Sequence, residues 1–302
     1  MAASNPDMAH TGGHRSGYVT LIGKPNVGKS TLLNALLRRK LSIVTPKAQT
    51  TRHRVLGILT DDTSQIIFLD TPGTIEPRYR LHNAMMRALS AAVADADLLL
   101  FLADSRADDP DTLSLRHAER RPAILAINKI DLIRQEDALP LAERYLALRA
   151  FEAVVPISAR TGFNLDALLR EIRVRMPHGA QYYPADMLSE HPERFFVGEI
   201  IREKVFERFS HEVPYSVAVQ VTRYEERAAG KDYIEADIIV ERDSQKGILI
   251  GSGGRALKRA GTAARKDIEA FIGGGVYLTL RVKVRPNWRN RDNLLRSYGY
   301  PT

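Results

Sequence analysis

Residues 23–30 read Gly-Lys-Pro-Asn-Val-Gly-Lys-Ser, and they constrain this chain more than any other feature. The run fits G-x-x-x-x-G-K-S and stands between an apolar stretch at 18–23 and a stretch with helical spacing at 30–38. Glycines there let the backbone wrap an anion with its N–H groups turned inward, and a following helix adds positive potential at its N-terminus. Gly23, Lys24, Pro25, Asn26, Val27, Gly28, Lys29, Ser30 and Thr31 are therefore expected to hold a nucleotide. Lys29 reaches for the β- and γ-phosphates, and the Ser30 hydroxyl is a Mg²⁺ ligand.

Further apolar runs at 55–60, 65–70, 97–103, 123–128 and 154–158 alternate with helical patterns at 81–93, 139–149 and 165–175. Strands that alternate with helices predict an α/β fold, with a mostly parallel sheet covered on both faces and ligands at the carboxyl ends of its strands. The run at 65–70 ends in Asp70, followed by Thr71-Pro72-Gly73-Thr74. Asp70 is placed to reach the metal, and Gly73 can offer its N–H to a γ-phosphate. Asn128-Lys129-Ile130-Asp131 closes another strand, and a carboxylate there can accept both N1–H and the exocyclic amine of guanine, which adenine cannot supply. Ser158-Ala159 ends a further strand, and its backbone can meet the guanine O6. Between these motifs lies Lys47-Ala48-Gln49-Thr50-Thr51-Arg52-His53, where a Thr can complete the Mg²⁺ shell when a γ-phosphate is present. Thr50 and Thr51 are both candidates, with Thr51 favoured. Lys29, Thr51 and Gly73 form the catalytic group, and Ser30, Thr51 and Asp70 the metal group. A Gln that would orient attacking water is missing after Gly73, where Thr74 and Ile75 stand, so slow intrinsic hydrolysis is expected.

The pattern changes after residue 180. The 302 residues allow two domains. Our boundaries are a disordered tail at 1–16, a nucleotide domain at 17–180 and a second domain at 181–302. The second half reads as a helix at 194–209, a hairpin of runs at 215–224 and 233–242, a glycine loop, a helix at 255–271 and a strand at 276–285. Residues 181–241 carry 7 Lys and Arg against 13 Asp and Glu, whereas residues 242–302 carry 13 against 4. Such a basic end suggests a polyanion-binding face. Gly251-Ser252-Gly253-Gly254 fits a G-x-x-G loop, whose glycines allow close approach to a nucleic-acid backbone. Lys246, Arg255, Lys258 and Arg259 flank it and are the expected RNA contacts along with the loop itself. Arg281, Lys283, Arg285, Arg289, Arg291 and Trp288 could add charge and stacking, and Trp288 could equally be a core residue. Cysteine is absent, which excludes disulfides and thiolate metal sites. The apolar run at 98–103 is far short of the roughly 20 residues that cross a bilayer.

The motifs GKPNVGKSTLLN, KAQTTRHR, DTPG, NKID and PISA, followed by PYSV, YIEADIIVERDSQKGILIGSGG and ARKDIE, resemble the Era family of bacterial ribosome-assembly GTPases over about residues 17–300. The resemblance implies a P-loop GTPase domain followed by an α+β type II KH domain. It also implies an enzyme that hydrolyses GTP to GDP with Mg²⁺, and that uses its nucleotide state to control binding of 16S ribosomal RNA near the 3′ end during assembly of the 30S subunit. A monomer in the cytoplasm, associated peripherally with the inner membrane, is implied as well. By resemblance to potassium-stimulated GTPases, Asn26 is a candidate K⁺ ligand. The loop departs from the common KH pattern in having Ser252 and Gly253 where a basic residue often stands, so a phosphate contact must come from Arg255, Lys258 or Lys246.

Overall fold

The structure, a computed structural model, describes residues 13–118 and 121–302. The chain divides into two compact units. The first holds the chain through Arg39, Arg54–Thr74 and Leu89–Glu190; the second holds Lys40–His53, Ile75–Ala88 and His191–Thr302. The division after Glu190 lies ten residues beyond the expected boundary, and two segments of the first half of the sequence belong to the second unit.

Elements follow in the order β1 (Arg15–Ile22), α1 (Lys29–Leu37), β2 (Val55–Thr60), β3 (Ser64–Asp70), α2 (Arg80–Asp95), β4 (Leu98–Asp104), α3 (Thr112–Ala118), β5 (Ala123–Asn128), α4 (Leu139–Leu148), β6 (Ala153–Pro156) and α5 (Leu165–Arg175). The sheet of the first unit has the order β2-β3-β1-β4-β5-β6, and only β2 runs antiparallel to its neighbour. Its central strands are buried along almost their whole length, which is why they read as unbroken apolar runs. β1 starts inside the stretch expected to be a tail, because Arg15 and Ser16 pair with Ser64 and Gln65. The Arg15 guanidinium also donates to the Met176 and Val174 carbonyls at the end of α5, at 2.6 and 3.2 Å. Residues 1–12 of that expected tail lie outside the described residues.

The second unit continues with α6 (Glu193–Arg208), β7 (Ala218–Glu225), β8 (Asp232–Val240), α7 (Asp243–Ile250), α8 (Arg255–Ile272), β9 (Val276–Val284) and α9 (Asp292–Ser297). β7 and β8 are antiparallel and β8 and β9 parallel, so α7 and α8 form the crossover between the parallel pair. Ile234, Ala236, Ile238 and Val240 alternate along β8 into a core with Val197, Ile201, Val205, Ala264 and Ile268 of the helices. The expected strand at 215–224 begins later: Pro214–Ser216 is a single 3₁₀ turn, and three carbonyls of that region are taken by Arg52 instead of a neighbouring strand. α3, α7 and α9 did not show in the residue pattern, although the KH resemblance implied a helix on each side of the glycine loop and so α7. Each is at most eight residues long, too short for helical periodicity to stand out.

Candidate functional site

The expected phosphate loop joins β1 to α1 as its pattern requires. Gly28 caps α1 with φ 103°, and a Cβ there would lie 2.3 Å from the Asn128 amide nitrogen, so glycine is demanded twice. Lys29 is buried and donates to the Gly23 and Lys24 carbonyls at 2.9 and 3.0 Å. Burial pushes its ammonium down to about 8, while Asp70 and Asp111 pull the other way. An ammonium whose charge is held down by burial inside a loop of inward backbone groups fits a polyphosphate, which would restore the charge. Ser30 donates its hydroxyl to Asp70 Oδ2 at 2.6 Å, so the two expected Mg²⁺-site residues share one point. That hydroxyl–carboxylate pair is a hard-oxygen donor set suited to Mg²⁺.

Asn128 draws three motifs together. Its amide donates to the Val27 carbonyl at 2.8 Å, and its Oδ1 accepts the Ala159 N–H at 2.9 Å. The Ala159 N–H expected to meet guanine O6 is thus engaged with Asn128, and a base oxygen would share it. Lys129, at φ 69°, donates to the Asn26 carbonyl at 2.6 Å and to Asp104 Oδ2 at 2.7 Å. Ile130 N–H meets the Ile157 carbonyl at 3.1 Å, which sets the following Asp131 outward. Asp131 is exposed and so open to an incoming base from solvent. Asp104 was missed by sequence reasoning. It ends β4, and a carboxylate at the carboxyl end of a parallel strand was the signal available.

In the same unit, Thr71 donates to the Leu21 carbonyl at 2.6 Å, and Thr74 N–H to the Gly23 carbonyl at 3.3 Å. Within the second unit, the Thr50 hydroxyl donates to the Lys47 carbonyl at 2.7 Å and shares a hydrogen bond with Thr45 at 2.6 Å. It is spent on its own turn. Thr51 is buried in the same unit.

The glycine loop of the second unit joins α7 to α8. A Cβ at Gly251 would lie 2.7 Å from that of Ala256, whereas Gly253 and Gly254, both with positive φ, meet nothing within 4 Å. Arg255 folds back on the loop, donating to the Ser252 carbonyl and hydroxyl at 3.2 Å each. A guanidinium is therefore delivered to a loop that lacks a basic residue of its own. Beside the loop, α8 and β9 bound a groove of about 560 Å³ lined by Gly254, Leu257, Lys258, Gly261, Arg265 and Tyr277. Arg265 and Tyr277 were missed because nothing in the sequence says which face of α8 meets β9. Arg259 is exposed on α8 and Lys246 half-buried on α7. The basic end behaves differently from its expectation. Arg281 pairs with Glu235 at 3.3 Å, Lys283 with Asp237 at 2.7 Å, and Arg289 with Glu241. Trp288 is fully buried, its indole N–H donating to the Ser216 carbonyl at 2.8 Å, so it is a core residue. His53 stacks on Tyr300, ring centroids 4.3 Å apart.

Comparison with known proteins adds to this geometry. A family model described as 50S ribosome-binding GTPase matches residues 18–129, and one described as KH domain matches residues 212–289. Among solved structures, a point variant of Aquifex aeolicus Era bound to GDP and AlF4⁻ is 40% identical with a TM-score of 0.91, covering 95% of this chain and all of its own. A second, Era in complex with MgGDPNP and nucleotides 1506–1542 of 16S ribosomal RNA, is also 40% identical with a TM-score of 0.91, over 96% of this chain. Identity of that degree over both units shows that this chain belongs to the Era family, as a GTPase with a C-terminal KH domain.

Proposed function

We propose that the chain binds and hydrolyses GTP and uses its nucleotide state to control binding of 16S ribosomal RNA near the 3′ end, in assembly of the 30S subunit. The observation that carries this reading is the Asn128 brace, which ties the phosphate loop to the two guanine motifs through side-chain bonds of 2.8 and 2.9 Å. The relative bound to MgGDPNP and 16S RNA supports the two ligands together.

In this reading Lys29 holds the β- and γ-phosphates, and the Gly73 N–H meets the γ-phosphate. Asp131 pairs with the guanine edge, with Asn128, Lys129, Ile130, Ser158 and Ala159 shaping the pocket around it. Ser30, Thr51 and Asp70 hold Mg²⁺, which neutralises charge on the phosphate oxygens when bound. Of the two candidates Thr51 is the preferred ligand, with Thr50, whose hydroxyl meets Thr45 and Lys47, as the alternative. Asn26 serves a K⁺ ion. The Gly251–Gly254 loop, Arg255 and the α8 groove take the RNA backbone, with Lys246, Lys258 and Arg259 adding charge. The protein works as a monomer in the cytoplasm and meets the inner membrane only peripherally, which gel filtration and cell fractionation would check.

Coupling of the two activities has a physical basis inside the second unit. The segment that carries Thr51 is fastened there by Arg52, which donates to the Val217, Tyr215 and Pro214 carbonyls at 2.6, 3.0 and 3.1 Å, and by Lys47, which donates to the Phe206 and Phe209 carbonyls that end α6.

Hydrolysis of labelled GTP with excess ATP present, in KCl and in NaCl, tests the enzymatic half. The expected result is slow turnover that ATP does not compete away and that KCl accelerates. Competition by ATP would contradict the guanine reading, and equal rates in the two salts would remove Asn26 from its role.

A further inference from the structure

Beneath the segment that follows Asp70 lies a chain of buried polar groups that the reaction as described does not use. Thr74, Ser114 and Asp111 are each buried to 3% exposure or less. The Thr74 hydroxyl meets the Ser114 hydroxyl, and Ser114 donates to Asp111 Oδ2. Asp111 Oδ1 also accepts the Ser114 N–H at 3.0 Å, and the Asp111 N–H donates to the Tyr145 hydroxyl at 2.8 Å.

An Asp that caps a short helix needs no further role, and Asp111 does cap α3. What goes beyond a cap is Thr74, which reaches Ser114 from 40 residues earlier in the chain. Proton order follows from the chemistry. A carboxylate can only accept, so the single Ser114 proton goes to Asp111, and the Thr74 hydroxyl must donate to Ser114. Thr74 is thereby held at both ends, by its side chain to Ser114 and by its N–H to the Gly23 carbonyl at 3.3 Å. Gly73, next to it, is pressed against the phosphate loop so closely that a Cβ would lie 2.6 Å from Pro25 N.

We propose that Ser114 and Asp111 are positioning residues for GTP hydrolysis: they fix Thr74, and through it set the Gly73 N–H for the γ-phosphate. The inference rests on the role given to Gly73 above. Because only GTP carries the group that Gly73 meets, loosening the chain should slow the chemical step and leave GDP binding alone.

The test measures kcat for GTP, GDP affinity and thermal melting in Ser114→Ala, Thr74→Val, their double variant, Thr74→Ser and Gly73→Pro. Ser114→Ala and Thr74→Val should each lower kcat about tenfold, the worth of one ordered hydrogen bond, with GDP affinity within about twofold of the parent. The double variant should be no slower than the slower single, since both break the same bond. Thr74→Ser, which keeps the hydroxyl, should recover most of the loss. Unchanged kcat in both singles would overturn the inference. So would parallel losses of GDP affinity and melting temperature with multiplying effects, which mark a merely structural chain. If Ser114→Ala does not fold, the contrast between Thr74→Val and Thr74→Ser decides. Gly73→Pro, which removes the N–H, separates the layers: hydrolysis lost there with GDP affinity kept, but intact in the other variants, removes only this inference, whereas hydrolysis intact in Gly73→Pro removes the role of Gly73 itself.

Discussion

Lys29 shows how one residue can carry both folding cost and function. Burying an ammonium in the phosphate loop favours its neutral form, and only the Gly23 and Lys24 carbonyls and the fields of Asp70 and Asp111 offset that. A bound polyphosphate raises the proton affinity again. Nucleotide binding therefore takes up a proton above the free protein's value of about 8 and takes up none below it. GDP affinity should be level below pH 8 and weaken from pH 8 to 9 by up to about tenfold per pH unit. Lys29→Arg, which stays charged, should flatten that slope. A parent affinity constant across pH 7–9, measured by titration calorimetry, would contradict this account of the loop.

At this scale the nucleotide motifs were legible because each is a short run with its own mechanism. What the sequence hid were the partners of those residues. Asp104 lies 25 residues from Lys129 and Ser114, backed by Asp111, 40 from Thr74, and none of the three belongs to a motif. The exposure of Asp131 was equally hidden, since a strand-end motif does not say how far its last residue stands proud of the sheet.

Among the elements, strands and the longer helices announced themselves and short helices did not. β2, β5 and α5 have the bounds expected from apolar patterning, because strands buried on both faces and a helix with a full apolar stripe leave clear periods. α7 left no such trace. Gln245 starts it, its side chain accepting the Glu241 and Arg242 N–H groups at 3.0 and 3.2 Å, and a single buried Leu249 anchors it. The segment Lys47–His53 is the most informative case. Its sequence reads as a polar loop, yet Arg52 is fully buried and its guanidinium satisfies three carbonyls around a 3₁₀ turn of the second unit. A buried cation on carbonyls is costly to vacate, so the segment cannot change shape without disturbing that turn. Arg52→Ala should therefore weaken the link between nucleotide state and RNA affinity. The ratio of RNA affinities with a non-hydrolysable GTP analogue and with GDP should move toward one, read by fluorescence anisotropy with a 16S 3′-end oligonucleotide. By reciprocity the effect of RNA on nucleotide affinity should shrink equally. A ratio unchanged by the substitution would show that the coupling runs elsewhere.

Across the whole molecule, net charge of +8 understates how the charges are used. Three ion pairs of the second unit join the acidic stretch at 181–241 to the basic stretch at 242–302: Glu235 with Arg281, Asp237 with Lys283 and Glu241 with Arg289. Arg255, Lys258, Arg259 and Arg265 are left exposed along α8, and two of them line the groove beside the glycine loop. Charge counting marked the whole stretch at 242–302, which contains this helix, and Arg285 and Arg291 are exposed in it as well. Both units match Era over nearly the full chain, which joins this basic groove to a guanine site in one protein.

The central claim is that the groove at Gly251–Gly254 holds the 3′ end of small-subunit RNA. Cross-linking and sequencing of RNA bound in cells, comparing the natural chain with the Gly251→Asp, Gly254→Asp double variant, tests it most directly. The account predicts reads concentrated at the 3′ end of 16S RNA and lost in the variant, because two carboxylates would stand where an RNA backbone must approach. Diffuse reads that the variant leaves unchanged would contradict it, and would leave a GTPase whose RNA partner lies elsewhere.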